Sequence, residues 1–374
     1  MRPSWLEIDL DAIEHNVRAI ARHIAPAELC AVVKADGYGH GDVPVALAAI
    51  EGGASWLAVA LVEEGVRLRE ADVDTPILVL SEPPLADVPT IVAYGLTPTA
   101  YRSEFVKALA VAASEATTLP YPVHLKVDTG MHRVGTPHAE AFEVARAIEA
   151  DKRLQLQGVF THFAVADEDA SYTKQQHAVF TRFVASLGDV EIRPRILHAA
   201  NTAASFDLPD TRHHMCRVGI GIYGLRPSPD LGLDVDLRPA MTVVSHVEYL
   251  RQLPEGARPS YGRIREIAGS RNMATIPIGY ADGVSRRLSV PGEVLIDGRR
   301  YPFAGQITMD MIIVDLGDDE VSRGARVVLL GRQGTEEISA QDWADLLGTI
   351  TYEVVCRFGP RLQRRYVRNG SVDV

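Results

Sequence analysis

The stretch AVVKADGYGHG, residues Ala31–Gly41, decides how the rest of the chain is read. The apolar run Leu29–Val33 has the length and character of a short buried strand. Lys34 closes it, and Gly37, Gly39 and Gly41 follow with Tyr38 among them. A cation where a buried strand meets a glycine-rich loop is costly unless it is paired or loses its proton. A deprotonated lysine amine is a nucleophile, and its commonest use is a Schiff base with a carbonyl.

Outward from this strand, short apolar segments alternate with helical ones up to about Pro239. Eight strand candidates recur: LCAVVK, WLAVAL, PILVLS, LTPTAY, VHLKVD, LQGVFTHF, RILHAAN and RVGIGIYG. Between them lie helical patterns such as VPVALAAIEGG, SEFVKALAVAASEA and HAEAFEVARAIEA. Strand–helix alternation predicts a parallel sheet, and eight repeats predict a closed (β/α)8 barrel of the TIM type. An open doubly wound sheet fits less well, because no GxGxxG follows the first strand. From Ala240 the pattern changes to MTVVSHVEYLRQL, MATIPIGYADG, EVLIDGRRYPFAG, MIIVDLG and ARVVLLG, which are strand-like with turn residues between. The helix ISAQDWADLLG has Ser339 as its N-cap and Asp342 near its start. The predicted fold is α/β: a barrel over residues 1–235 and a mostly β domain over 236–374. The first few residues are free to pair with the second domain, and SPDLGLDVDLRP is the predicted link.

The chain has 374 residues, 47% hydrophobic and 23% charged, ordinary for a globular protein with room for two cores. A formal net charge of -11 argues against nucleic-acid binding. The arginines of CRFGPRLQRRYVRNG read as a solvated or interface face. Cys30, Cys216 and Cys356 show no CxxC or Cys/His spacing and read as buried thiols of a reducing compartment. No metal is expected. No signal-peptide core or membrane-length apolar run appears, so a cytoplasmic protein is expected.

In a barrel, catalytic groups sit at the C-terminal ends of the strands. Lys34 ends the first candidate. KVDTGMHRVG (Lys126–Gly135) ends and follows the fifth, His162 ends the sixth, HAANTAA (His198–Ala204) closes the seventh, and Arg217 opens the eighth. Gly219, Gly221 and Gly224 leave backbone N–H groups approachable by a phosphate. A nucleophilic lysine, a phosphate loop and a barrel together suggest pyridoxal phosphate on Lys34.

These motifs, with SYG, GYADG, MD and TYEVVCR, occur in the order and spacing of the alanine racemases, pyridoxal phosphate enzymes of fold type III. The chain resembles that family over essentially its whole length. The resemblance implies that Lys34 carries the cofactor and is the base on one face of the substrate. It implies that Tyr261, given by the partner subunit of a homodimer, serves the other face. Arg217 resembles the residue facing the pyridine nitrogen, and His162 one that hydrogen-bonds in its network. Tyr38, Thr202, Gly219, Ile220 and Tyr352 match the phosphate positions, and Asn201 lies beside the ring. Arg133 and the backbone of Met309 match the substrate-carboxylate positions. Tyr280 matches an inner gate, with Asp167 and Arg286 at an outer one. Lys126 matches a lysine often found carbamylated; pairing with Asp128 is the other reading of it.

The chain departs from many relatives in having Thr202 for serine, Thr308 for the cysteine of CMD, and Gln306 for an arginine. The implied reaction interconverts L- and D-alanine, supplying D-alanine for peptidoglycan. The rivals are racemisation of another small amino acid such as serine, a decarboxylase of the same fold type, and a barrel protein that binds pyridoxal phosphate without racemase activity. Arg217 and Thr308 disfavour the decarboxylase, and Tyr261 in a second domain disfavours the carrier. Tyr352, which narrows the side-chain pocket, favours alanine over serine.

Overall fold

A computed structural model describes residues 3–229, 231 and 235–373. Parts of the predicted link, Asp230 and Gly232–Asp234, lie outside the described residues. The chain divides into two compact units: residues 13–37 with 42–238, and residues 1–12 with 38–41 and 239–374.

The first unit is the barrel. In chain order after an initial strand β1 (Trp5–Asp9), its strands are β2 (Glu28–Val32), β3 (Trp56–Val59), β4 (Ile77–Val79), β5 (Thr97–Ala100), β6 (Tyr121–Lys126), β7 (Leu154–Phe160), β8 (Ile196–His198) and β9 (Met215–Val218). They lie in the order β8-β7-β6-β5-β4-β3-β2-β9, every recorded pair parallel. Backbone bonds His214 N to Leu197 O and Arg217 N to Ala200 O, both 3.0 Å, bridge the remaining seam between β8 and β9. Every residue of β3, β4 and β5 is buried, as strands covered on both faces require. The predicted helices form as Asp42–Glu51, Ser103–Ala112 and His138–Ala150. The end of the link is pinned by buried Asn16, whose side chain donates to Arg238 O at 2.8 Å and accepts from Arg238 N at 2.8 Å.

The second unit holds an eight-stranded sheet and a three-stranded one. Their strands are β10 (Met241–His246), β11 (Tyr249–Leu253), β12 (Arg271–Ile276), β13 (Glu293–Ile296), β14 (Arg299–Pro302), β15 (Ile312–Gly317), β16 (Arg326–Gln333), β17 (Glu336–Ile338), β18 (Gln363–Arg368) and β19 (Ser371–Asp373). The N-terminal strand β1 belongs here. It runs antiparallel to β10 and parallel to β18. The three-stranded sheet has the order β11-β12-β15. The helix Ala340–Leu347 is capped as predicted: Ser339 Oγ accepts from Asp342 N at 3.0 Å, and Asp342 accepts from Ser339 N at 2.7 Å.

Some expectations are corrected. The first barrel strand stops at Val32, so Lys34 lies beyond it. In RVGIGIYG only the start is strand; Ile220–Tyr223 coils into a 3-10 turn after Gly219. Cys356 is exposed, because Val354 and Val355 take the inner side of its short helix. Of the two readings of the C-terminal arginines, the solvated one does not hold along β18, an interior strand of the sheet, where Arg365 lies 3.8 Å over the Trp5 ring.

Candidate active site

The parallel strands all end on one rim of the barrel, and the expected polar residues of this unit collect there. Lys126 is the last residue of β6, and His162 follows β7. Asn201 and Thr202 follow β8, and Gly219 follows β9. Arg217 lies within β9 and Lys34 just past β2.

Lys34 opens an unusual turn. Ala35, Asp36 and Gly37 have φ of 52°, 53° and 58°, and φ stays positive at Tyr38. Left-handed backbone costs a non-glycine residue about 1–2 kcal/mol. The turn is held by Gly37 N donating to Val33 O at 2.9 Å and by Asp42 N donating to Asp36 Oδ1 at 3.2 Å. The glycines past it answer to close approach: a Cβ on Gly39 would lie 2.5 Å from Val355 O, and one on Gly41 2.1 Å from the Tyr366 hydroxyl.

Arg217 is buried, and no carboxylate lies within ion-pair reach of it among the described residues. Its NH1 group donates to His198 O at 3.1 Å and His198 Nδ1 at 3.0 Å. Its NH2 group donates to Thr161 O, Ala199 O and His162 Nδ1, at 2.8, 3.1 and 3.2 Å. The Nε–H has no acceptor among the described residues. Burial pushes this guanidinium down to about 10. An arginine cannot accept, so both histidines present a lone pair on Nδ1. His198 Nε2–H then donates to His124 Nδ1 at 2.9 Å, and His124 Nε2–H to Gln157 Oε1 at 3.2 Å. Burial first, and Arg217 second, hold His162 and His198 well below the usual imidazole range, so both stay neutral.

Lys126 has no carboxylate partner among the described residues, so the alternative reading, a pairing with Asp128 or another carboxylate, does not form. Its Nζ reaches Leu80 O at 3.4 Å and stands 5.3 Å from the centre of the Phe160 ring. Burial, reinforced by Arg217, Arg133 and Lys34, pushes its amine down to about 7. Asp128 instead shapes the loop carrying exposed Arg133: its Oδ1 accepts from the N–H groups of Gly130, Met131 and His132 at 3.0–3.1 Å. Thr202 Oγ1 accepts from Gly219 N at 3.0 Å, which leaves the Thr202 hydroxyl proton to donate elsewhere. Asn201 Oδ1 caps its helix by accepting from Ala204 N at 3.0 Å. Ile220 opens the 3-10 turn, whose first N–H groups find no acceptor within it.

The other expected residues, Asp167 apart, belong to the second unit. The Tyr38 and Tyr352 rings pack 6.1 Å apart. Tyr261 is 70% exposed, and its hydroxyl has no hydrogen-bond partner among the described residues. Its loop is fixed by Ser260 Oγ donating to Gln306 O at 2.5 Å. Tyr280 and Met309 form one piece, with Tyr280 N donating to Thr308 O at 3.0 Å and Ala281 N to Met309 O at 3.1 Å. Both side chains are exposed. Sequence reasoning missed His124 and Glu64; neither carries a local pattern that distinguishes it from a strand histidine or a first-turn helix glutamate. Among the described residues no three His, Cys, Asp or Glu side chains gather as metal ligands would. None of their helices is long and apolar enough to cross a membrane.

Models of the alanine racemase N-terminal and C-terminal domains match residues 8–227 and 240–366. The chain is 44% identical to the alanine racemase of Symbiobacterium thermophilum, over 98% of this chain and 97% of that protein. It superposes on the alanine racemase of Bacillus anthracis with bound L-Ala-P at a TM-score of 0.93, with 37% identity and coverage of 100% and 97% of the two chains. It is also similar to the histidine racemase of Leuconostoc mesenteroides subsp. sake, with a TM-score of 0.90, 28% identity and 98% coverage of both chains. Fold and relatives together define an amino-acid racemase. The chain belongs to the alanine racemase family.

Proposed function

We propose that this enzyme interconverts L- and D-alanine with pyridoxal phosphate carried on Lys34. The observation that carries the reading is Arg217: a buried cation that, among the described residues, has no carboxylate, uses its NH1 and NH2 groups on protein acceptors, and has one donor, Nε–H, left over. That donor suits an unprotonated ring nitrogen. Thr202, Gly219 and Ile220 on the same rim, and Tyr38 and Tyr352 in the second unit, suit the phosphate; Asn201 suits the edge of the ring. When bound, the cofactor supplies an electron sink for the charge left at Cα.

The chain's own residues supply the rest. The Lys34 amine takes or returns the Cα proton on one face, and the Tyr261 hydroxyl does so on the other. Arg133 and the backbone N–H of Met309 hold the substrate carboxylate, and Tyr280 narrows the entry. Arg217 does not give up its proton, which keeps the sink weak and limits side reactions. His162 stays neutral and steadies Arg217. The exposure of Tyr261, with Tyr280, Met309 and Met311 also exposed, supports a homodimer in which Tyr261 serves the partner's site. The unit of residues 13–37 and 42–238 acts as the cofactor domain, and the unit of residues 1–12, 38–41 and 239–374 gives this tyrosine. Interconversion of the two alanine enantiomers suits a role in D-alanine supply.

The test is to incubate the enzyme with L-alanine in D2O and follow chirality and Cα deuterium together. D-alanine carrying deuterium is expected. Unchanged alanine from cofactor-loaded protein overturns the reading, and the same assay with serine tests the rival substrate. The histidine racemase neighbour gives that control its point.

Lys126 gives a second prediction. An amine with a pKa of about 7 is substantially neutral at neutral pH, and only the neutral form attacks CO2. Its nitrogen bonds the carbon of CO2 and a proton leaves to solvent. The new anion then orients Arg133. At fixed CO2 pressure the carbamate should increase as pH rises through about 7, visible as a carbon-13 signal from labelled CO2. Lys126→Gln should abolish that signal and raise the KM for alanine by on the order of tenfold. An unchanged signal assigns it to another amine.

A further inference from the structure

We infer that Glu64 is a positioning residue for Lys34, holding the left-handed turn that aims its amine; this rests on the assignment of Lys34 above. Glu64 lies in the first turn of the helix Val62–Glu70 and is 6% exposed. Its two oxygens have different duties. Oε2 accepts from Ala60 N at 2.8 Å and Leu61 N at 3.0 Å, which closes the start of its own helix. Oε1 reaches across to the next strand connection and accepts from Ala35 N at 2.7 Å. Ala35 follows Lys34 directly and is the first of the left-handed residues.

The backbone on either side is fixed by main chain. Val33 N donates to Ala58 O at 2.9 Å, and Gly37 N to Val33 O at 2.9 Å. Between them the Ala35 N–H relies on the Glu64 side chain. A strained turn persists when its surroundings over-determine it, and this bond fixes the peptide that joins Lys34 to the turn. Asp42, which donates its N–H to Asp36 and binds Arg67 through Oδ2 at 2.6 and 3.0 Å, holds the far side. The duty of Oε1 is separable from helix capping because it falls on a different oxygen.

Two variants separate the duties. Glu64→Gln keeps one oxygen, which satisfies the Ala60 and Leu61 donors and turns an NH2 group towards the Ala35 N–H. Glu64→Asp keeps a short carboxylate near its helix start and withdraws from Ala35. Full-length wild type and variants are mixed with pyridoxal phosphate. The capture rate is followed by visible absorbance, the captured lysine is identified by borohydride reduction and peptide mass mapping, and unfolding midpoints are recorded on the same samples. Displacement of a reacting group by about 1 Å costs on the order of a hundredfold, so capture at Lys34 should slow by about that factor in folded variant protein. A capping role alone would lower the midpoint and leave the capture rate as in wild type, and that result overturns the inference. If Glu64→Gln does not fold, Glu64→Asp decides by the same comparison. If wild-type protein captures the cofactor at another lysine, the assignment of Lys34 fails, and this inference with it. Wild-type-like capture at Lys34 in the variants sinks the Glu64 role alone.

Discussion

Lys34→Ala is expected to remove the visible absorbance of bound cofactor and to lower racemisation by at least about 10⁴-fold, since on the proposed reading one substitution removes both the attachment point and a proton-transfer group. The fold should survive. Lys34 is half-buried, and the Ala35 N–H keeps its bond to Glu64 in the variant. Far-UV circular dichroism like that of wild type, together with loss of the absorbance, is the expected pair of results. A retained absorbance band would refute the role of Lys34 and transfer attention to Lys126. That second amine lies on the same rim and has the depressed pKa a nucleophile needs.

Tyr261→Phe should have the second largest effect and the most selective one. The hydroxyl is exposed and makes no hydrogen bond among the described residues, so stability should change by no more than about 0.5 kcal/mol. A lost acid–base group costs about 10²–10⁴-fold on the step it serves. Deuterium washout from Cα, followed separately for L- and D-alanine, should fall by that factor for one enantiomer and stay near wild type for the other. Equal losses would sink the scheme of two bases on opposite faces. Mixing Lys34→Ala with Tyr261→Phe chains should restore part of the activity, because one of the two sites in a mixed dimer then keeps both groups. No recovery in verified mixed dimers would assign both groups to one chain.

The barrel was legible because a parallel sheet under helices leaves a local signature. Several of its strands are short and apolar, as in Trp56–Val59 and Ile77–Val79, and its helices carry the longer period, as in HAEAFEVARAIEA, which forms a helix over its whole length. The cap of Ala340–Leu347 was legible for the same reason: Ser339 and Asp342 satisfy each other within one turn. Candidate residues at strand ends followed from the barrel, since chain order sets which strand end carries which motif. Boundaries were less legible. Gly219 and the residues after it read as strand, and the turn there depends on backbone angles that glycine permits but does not demand.

The sequence by itself determined the fold class, the rim of the barrel on which Lys34, Lys126, His162 and Arg217 meet, and the family. Each of these is written in local periodicity or in motif order. Tertiary structure alone decided that, among the described residues, Lys126 lacks a carboxylate and Arg217 keeps one unused donor, and that Glu64 holds the turn after Lys34. These depend on partners far apart in sequence. Arg217 meets Thr161 across 56 positions and Glu64 meets Ala35 across 29. Whether a buried cation is paired or a strained turn is held is settled by which distant groups the packed strands bring within about 3 Å, and no local pattern encodes that distance.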